Sequence, residues 1–540
     1  MSDTSPLVLY NGDLRTQDPR LPRARAVAMA NGRILATGDD DTVRSLAGPR
    51  ARCLDLEGRL VLPGFMDSHI HYYDWALARR RLLLADVKSF GEAMERLRRF
   101  ASDTEEGEWV LGQGWNEAEW PENRMPLRTD LDRAAPRHPA ILWRCDMHLA
   151  VVNSRALELA GIGESTPDPP EGEIQRDDSG RPTGVLRESA INVVKPVIPP
   201  LSEEQVLDVM RSGIPALHAL GITSIHDVRL MGAMEWPLTF RAWQALDERG
   251  ELDLRCWAAI PAERLDEAAA TGLRTGFGNS RLRAGHVKFY ADGGMGARSA
   301  WMIEPYLDGG TGMPLVSVES LRESVEKAHR AGLAVMIHAI GDRANRETIS
   351  VFEEVLGREA SPLASPPLCH RMEHVQMIRP EDLKRLAALD VAASVQPANM
   401  VLDIRMIDEC VGPKGRWTYP FRDLLDAGVP VLFSSDAPVC DANPLVSIHS
   451  AVTRRRPDGS PPGGWYPDQK VSVEEAVRAC TLTPASTYGV GSELGSLSPG
   501  KRADLAVFDR NLYTIPPQEI LEARVDLTVF DGEIRYERGS

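Results

Sequence analysis

The sequence predicts an α/β protein: a (β/α)8 (TIM) barrel, a small β-sandwich formed from both chain ends, and an inserted cap. Three observations carry this. From about Gly221 onward, short apolar runs alternate with amphipathic helical patterns, the rhythm of βα units. Both chain ends hold short runs punctuated by Asn-Gly or Asp-Gly. Side chains able to bind metal recur at one end of the apolar runs, the end where such barrels keep their chemistry.

Taking the elements in order, LVLYNGDLRT and AVAMANGRILATG each place Asn-Gly between apolar or alternating runs, a short-range hairpin signal. The stretches ADLAVFD and DLTVFDGEIRYE repeat the style, with Asp531-Gly532 as the turn. Residues 1–62 with 490–540 are thus expected to form the sandwich, and residues 63–489 the barrel. The first barrel strand lies in VLPGFMDSHIH, and the others in ITSIHDV, LRCWAAI, HVKFYADGG, LAVMIHAIGD, RMEHVQM, VAASVQP and VPVLFSSDAP. Between them, Val318, Leu321, Val325 and Ala328 share a helical face that Gly332 ends. Asp342 is expected to N-cap the next helix, Pro380 to open another and Gly428 to close the one after that. The stretch from His71 to Gly221 is too long for one βα unit, so residues of about 75–205 read as the cap.

Composition narrows the function. Hydrophobic residues are 43% and charged residues 26% of the chain, ordinary for a soluble globular protein. No run approaches the roughly 18 consecutive apolar residues of a membrane span. The net charge is −16 without a long basic run, which speaks against nucleic acid and anionic membranes as partners. Seven cysteines are scattered without CxxC pairs, as in a reduced cytoplasm. The start, MSDTSPLVLYNG, shows no secretory signal pattern. A cytoplasmic location is expected. There is no Walker loop.

His69 and His71 are two apart in a strand and project to one side. Alone such a pair is weak, since most neighbouring histidines ligate nothing. Here His338, His374 and Asp436 end three further strands, and Lys288 lies in a fourth. Imidazole with carboxylate is a donor set for divalent zinc, iron, nickel or manganese. Lys288 has two readings: an ion pair with Asp292 or another carboxylate, or, once carboxylated by CO2, an anionic oxygen ligand.

In this order, VLPGFMDSHIH, HVKFYADGGMGARSA, HAIGDRA, RMEHVQ and SSDAPV resemble the amidohydrolase superfamily. More narrowly the chain resembles the amidohydrolase-3 group, which holds YtcJ-like proteins and N-substituted formamide deformylases. The resemblance extends through WNEAEW, RCDMHLAVVNSRAL and PTGVLRE to GSLSPGKRADLAVFD. It implies a metal-dependent hydrolase, with His69, His71, Lys288, His338, His374 and Asp436 as metal ligands and Lys288 as the lysine carbamylated in many members. Zinc is the foremost ion, as one or two per chain. One departure is Ser434, where such relatives often have glycine.

The implied chemistry is hydrolysis of a C–N bond in a small amide-type substrate, an N-substituted formamide or short-acyl amide. Asp436 would be the base for water, and His374 would polarise the carbonyl. Trp115, Asn116, His148 and Arg298 are candidate substrate contacts, although core packing for Trp115 and an ion pair for Arg298 are the plainer roles. Deamination of an amino-heterocycle is an alternative, disfavoured because neither HAIGD nor HVQ supplies the HxE glutamate of such deaminases. A non-catalytic regulatory descendant is another, disfavoured because all six ligand positions are filled. A homodimer would be ordinary at this size.

Overall fold

The computed structural model describes residues 5–117, 120–144, 149–170, 172–229, 236–357 and 369–539. The chain divides into two compact units, Met1–Trp75 with Met210–Ser540, and Ala76–Val209.

In the first unit, eight strands form one sheet ordered as in the chain: β1 Phe65–Ile70, β2 Ile222–Asp227, β3 Arg255–Pro261, β4 Leu282–Tyr290, β5 Val335–Ala339, β6 His370–His374, β7 Val391–Val395 and β8 Val431–Phe433. Every paired neighbour is parallel. The sheet closes where the segment after β8 meets the end of β1: Asp436 N donates to His69 O at 2.8 Å, and His71 N to Ala437 O at 2.9 Å. These are the eight runs the sequence marks. They are apolar on both faces because a parallel barrel buries both.

The expected helices occur at Val318–Arg330, Asp342–Leu356, Pro380–Ala387 and Phe421–Asp426, and a further one at Pro397–Val411. Asp342 is not an N-cap. It is the first helical residue, and Gly341 holds the cap position. Its carboxylate is spent on tertiary partners, accepting from Ile303 N and Arg379 Nε at 2.8 Å each.

Two further sheets flank the barrel. A four-stranded sheet joins Arg33–Gly38, Ala26–Ala30, Leu7–Tyr10 and Arg52–Asp55. A six-stranded sheet joins Glu533–Glu537, Val525–Phe530, Leu505–Phe508, Leu60–Pro63, Asp13–Arg15 and Arg23–Ala24. Val27, Met29, Val61, Leu505 and Val529 pack together between them.

Asn31-Gly32 and Asp531-Gly532 turn hairpins as expected, with both central residues at positive φ. Asn11-Gly12 does not. Asn11 has φ 55° but Gly12 has no positive φ, so the mirror-image turn is not made. The strands on either side instead enter different sheets.

Leu60–Pro63 leads into β1 across Gly64. A Cβ on Gly64 would lie 2.2 Å from Thr223 Oγ1 and 2.6 Å from its Cγ2, so glycine alone fits this crossing.

The second unit is a mixed six-stranded sheet, ordered Gly172–Arg176, Pro182–Glu188, Leu149–Val152, Ala140–Arg144, Val110–Trp115 and Leu82–Leu83. Helix Phe90–Ser102 buries Ala93, Met94, Leu97 and Ala101 in its core. Among the described residues no helix is long and apolar enough to cross a membrane.

Candidate metal centre

The end of β1 carries His69 and, one residue past it, His71. The segment after β8 brings Asp436 against both. His69 Nε2 lies 3.5 Å and His71 Nε2 3.2 Å from the same Asp436 oxygen, Oδ1. One donor atom from each of the three side chains lies within 4.8 Å of the others, and all three are buried.

The opposite ring nitrogens explain the orientation. His71 Nδ1 donates to the Val228 carbonyl at 2.9 Å. His69 Nδ1 meets Glu373 Oε2 at 2.6 Å. A proton on each Nδ1 leaves each Nε2 with a lone pair aimed at a carboxylate oxygen. Three electron-pair donors facing one another repel unless a cation sits among them, so the donor set fits a divalent ion.

Burial pushes the His69 imidazole down to about 3, with the nearby Lys288 charge adding to it. It is neutral at physiological pH, as a ligand must be. Burial opposes ionisation of Asp436, but the surrounding imidazoles of His71, His69 and His374 favour it and hold its carboxyl below the usual range.

Glu373 is fixed in turn by Arg371, whose Nε and Nη2 reach Oε1 at 2.8 and 2.7 Å. Burial raises Glu373, yet Arg371 and His69 together keep it ionised well below the ordinary carboxylate range. Arg371 also donates to Ser68 O and Tyr488 Oη. Asp67 bridges the β1–β8 seam, accepting from the His69 and Ser435 backbone N–H groups at 3.2 and 3.1 Å.

His338, His374 and Lys288 line the same cavity as His69, His71 and Asp436, a space of about 430 Å³. The His374 ring is 5.5 Å from that of His69 and 4.4 Å from that of His338. His374 Nδ1 meets Gln396 Oε1 at 2.8 Å, and Gln396 Nε2 donates to Ser434 Oγ at 3.0 Å. Ser434 Oγ and Ser394 O, the latter at 3.3 Å, together set which way the Gln396 amide faces. His374 and Asp436 have φ of 71° and 59°, and Val375, a β-branched residue, has 43°. Such conformations are strained and gather at functional sites.

Lys288 does not pair with Asp292. Asp292 is fully buried and accepts from the backbone N–H groups of Ile340, Gly341 and Trp301 at 2.8–3.0 Å. Among the described residues no carboxylate lies within ion-pair distance of the lysine, whose Nζ sits 4.7 Å from the Tyr290 ring centroid. Burial pushes Lys288 down to about 8, against the raising effect of Glu373 and Asp436.

Three of the softer candidates have local partners. Trp115 has no exposed surface, packs beside Trp120 and donates Nε1–H to Leu142 O at 3.0 Å. It packs in the core of the inserted unit. Asn116 Oδ1 accepts from Arg144 at 3.2 Å. Arg298 pairs with Asp308 at 2.8 Å. His148 lies outside the described residues.

Glu373, Gln396 and Asn399, whose Nδ2 is 3.5 Å from Asp436 Oδ2, were not marked from sequence. A signal for Glu373 existed: Arg371 and Glu373 stand two apart inside a wholly buried strand, where charges persist only in pairs.

The barrel, the flanking sheets and the His-His-Asp cluster define a hydrolase of the amidohydrolase type. The model for the Amidohydrolase family matches residues 52–536, and the chain belongs to that family. Over 517 residues, 94% of this chain and 88% of the relative, it is 32% identical to Protein LONG AFTER FAR-RED 3 of Arabidopsis thaliana. It is 29% identical over 552 residues to the N-substituted formamide deformylase of Arthrobacter pascens, covering 100% of this chain and 99% of the relative. A solved structure described as an uncharacterized metal-dependent hydrolase from Pyrococcus furiosus matches with TM-score 0.75 at 30% identity, over 94% of this chain and 100% of that one.

Proposed function

We propose that this chain is a metal-dependent amidohydrolase that cleaves the C–N bond of a small amide, in the class of N-substituted formamides and short-acyl amides. The observation that carries the reading is the convergence of His69 Nε2, His71 Nε2 and Asp436 Oδ1 on one point of a closed donor set. The formamide deformylase relative supports the substrate class.

His69, His71 and Asp436 would hold a divalent ion, zinc foremost, with His338, His374 and Lys288 around the same cavity as further donors. A carboxylated Lys288 would let the site hold two ions, and the buried amine without an ion-pair partner supports that modification. The bound ion supplies acidification of water to about neutral pH and polarisation of the amide carbonyl. Asp436 takes the proton of the attacking water at a carboxylate oxygen and returns it to the leaving nitrogen. Asn399 steadies its Oδ2. His374 gives its Nδ1–H to Gln396 Oε1, which leaves a lone pair at Nε2 and suits the ring as a ligand of the ion rather than as a donor to the carbonyl oxygen. The fully buried Arg371–Glu373 pair holds His69 in the tautomer these roles need. The scattered thiols fit a cytoplasmic setting.

The test is to load purified protein with zinc, manganese, nickel or iron(II) and to measure amine release from a panel of N-substituted formamides and short-acyl amides. Amine release that a chelator abolishes, and that Asp436→Asn cuts by roughly 10²–10⁴-fold with metal still bound, is the expected result. A chain that retains none of these ions, or that hydrolyses no member of the panel, overturns the reading.

A further inference from the structure

One wall of the cavity is helix Pro397–Val411, which turns Asn399, Leu402, Asp403 and Met406 toward it. These positions fall at i, i+3, i+4 and i+7, a single helical face. Asn399 touches Asp436. Leu402, Met406 and Val439, which follows Asp436, make an apolar stretch beyond it. Leu402 and Val439 are 64% and 59% exposed, large hydrophobic surface left open at the cavity mouth.

Asp403 stands within this apolar stretch. Its Oδ2 accepts from Tyr419 Oη at 2.6 Å and Gln376 Nε2 at 3.2 Å. Its Oδ1 takes no hydrogen bond among the described residues. Of the two donors Tyr419 has φ 50°, and Gln376 directly follows His374 and Val375, both at positive φ. Tyr419 N also donates to Gln376 O at 2.7 Å, so the two donors are locked together.

No described basic side chain pairs with Asp403, and Lys288 is the sole lysine or arginine among the described residues lining the cavity. Burial raises the Asp403 carboxyl while Tyr419 and Gln376 oppose that. A partly buried carboxylate that lines the cavity and is held by two neutral donors lacks a countercharge.

We propose that Asp403 is a specificity residue for an ammonium or similar cationic N–H donor on the substrate, with Leu402, Met406 and Val439 seating a hydrocarbon spacer between that group and the scissile amide. This deepens, and rests on, the amide-hydrolase reading. Four residues of helix separate Asn399 from Asp403, a rise of roughly 6 Å, which about four or five methylenes span.

The probes are the aminoamide N-(4-aminobutyl)formamide and its methyl-ended isostere N-pentylformamide, titrated calorimetrically into the zinc-loaded protein. The wild type is expected to bind the aminoamide roughly tenfold or more tightly, as one charge-assisted contact gives. Asp403→Asn retains an oxygen for Tyr419 and should bring the two affinities within about threefold. Equal affinities in the wild type, no binding of either probe, or a preference that survives Asp403→Asn overturns the proposal. The wild-type comparison stands even if the variant does not fold. Hydrolysis is followed separately: an ammonium preference lost in Asp403→Asn, with neither probe cleaved, supports the Asp403 site and counts against the hydrolase reading.

Discussion

His69 Nδ1 and Glu373 Oε2 lie 2.6 Å apart, with the two side chains 1% and 0% exposed. The contact joins β1 to β6 across the barrel interior. It makes the aim of the His69 Nε2 lone pair a property of a carboxylate that Arg371 holds from the other side.

Glu373→Gln therefore weakens the metal site without touching it. Loss of such a partner typically costs about 10–100-fold in metal affinity. Competition with a calibrated chelator reads this directly. Uncoupling the buried Arg371–Glu373 pair also costs stability, on the order of 3–5 kcal/mol. Unchanged metal affinity would separate Glu373 from the site.

Ser434→Ala removes the hydroxyl that accepts from Gln396 Nε2. The amide then keeps only the longer bond to Ser394 O at 3.3 Å to hold Oε1 toward His374. A severalfold fall in kcat with little change in the melting temperature is expected. Ser434→Thr, which keeps the hydroxyl, should restore part of it.

Gly64→Ala places a methyl against Thr223, which is 1% exposed and cannot move aside. Overpacking of this kind costs about 1–3 kcal/mol. The double variant with Thr223→Ala removes the two closest atoms and should recover much of the loss in urea denaturation. Non-recovery would point to the backbone instead.

Acid should destabilise the fold through His370. Its Nδ1 accepts from Val335 N at 3.1 Å, and its Nε2 meets His329 Nδ1 at 3.0 Å. Burial, then the neighbouring His329 and His286, push it down from 6.5 to about 3. The unfolded chain binds this proton more readily, so stability is intact above pH 6.5 and is lost as pH falls towards 3. By pH 5 the loss is on the order of 2 kcal/mol. His370→Gln should be less stable at pH 8 but show a flatter decline in denaturant titrations between pH 8 and 5. Equal slopes would remove His370 as the cause.

Strand identity was legible in this chain because parallel barrel strands are apolar throughout and the helices between them are periodic. The residues at strand ends were legible for the same reason: once β1, β5, β6 and β8 are placed, His69, His338, His374 and Asp436 follow. Asn11-Gly12 misled because a dipeptide encodes a permitted turn, while the sheet each strand joins depends on distant partners such as Arg52–Asp55 and Leu60–Pro63. Asp342 misled because a good capping residue has other uses, here Arg379 and Ile303. Gln396, Asn399 and Asp403 were invisible for a third reason. They lie on and before a helix after β7, where periodicity shows an amphipathic face but not that this face borders a cavity.

The pairing of Leu60–Pro63 with Leu505–Phe508 has a consequence for how the protein comes into being. On the ribosome, Leu60–Pro63 must wait for a strand made more than 400 residues later before its sheet can be completed. Closing so long a loop is slow relative to local helix and hairpin formation. The nascent chain carries the apolar edge of Leu60–Pro63 unpaired through most of its synthesis, a template for unwanted strand addition. Slowed synthesis or premature termination should then raise aggregation more than a similar delay would in a protein whose sheets pair locally.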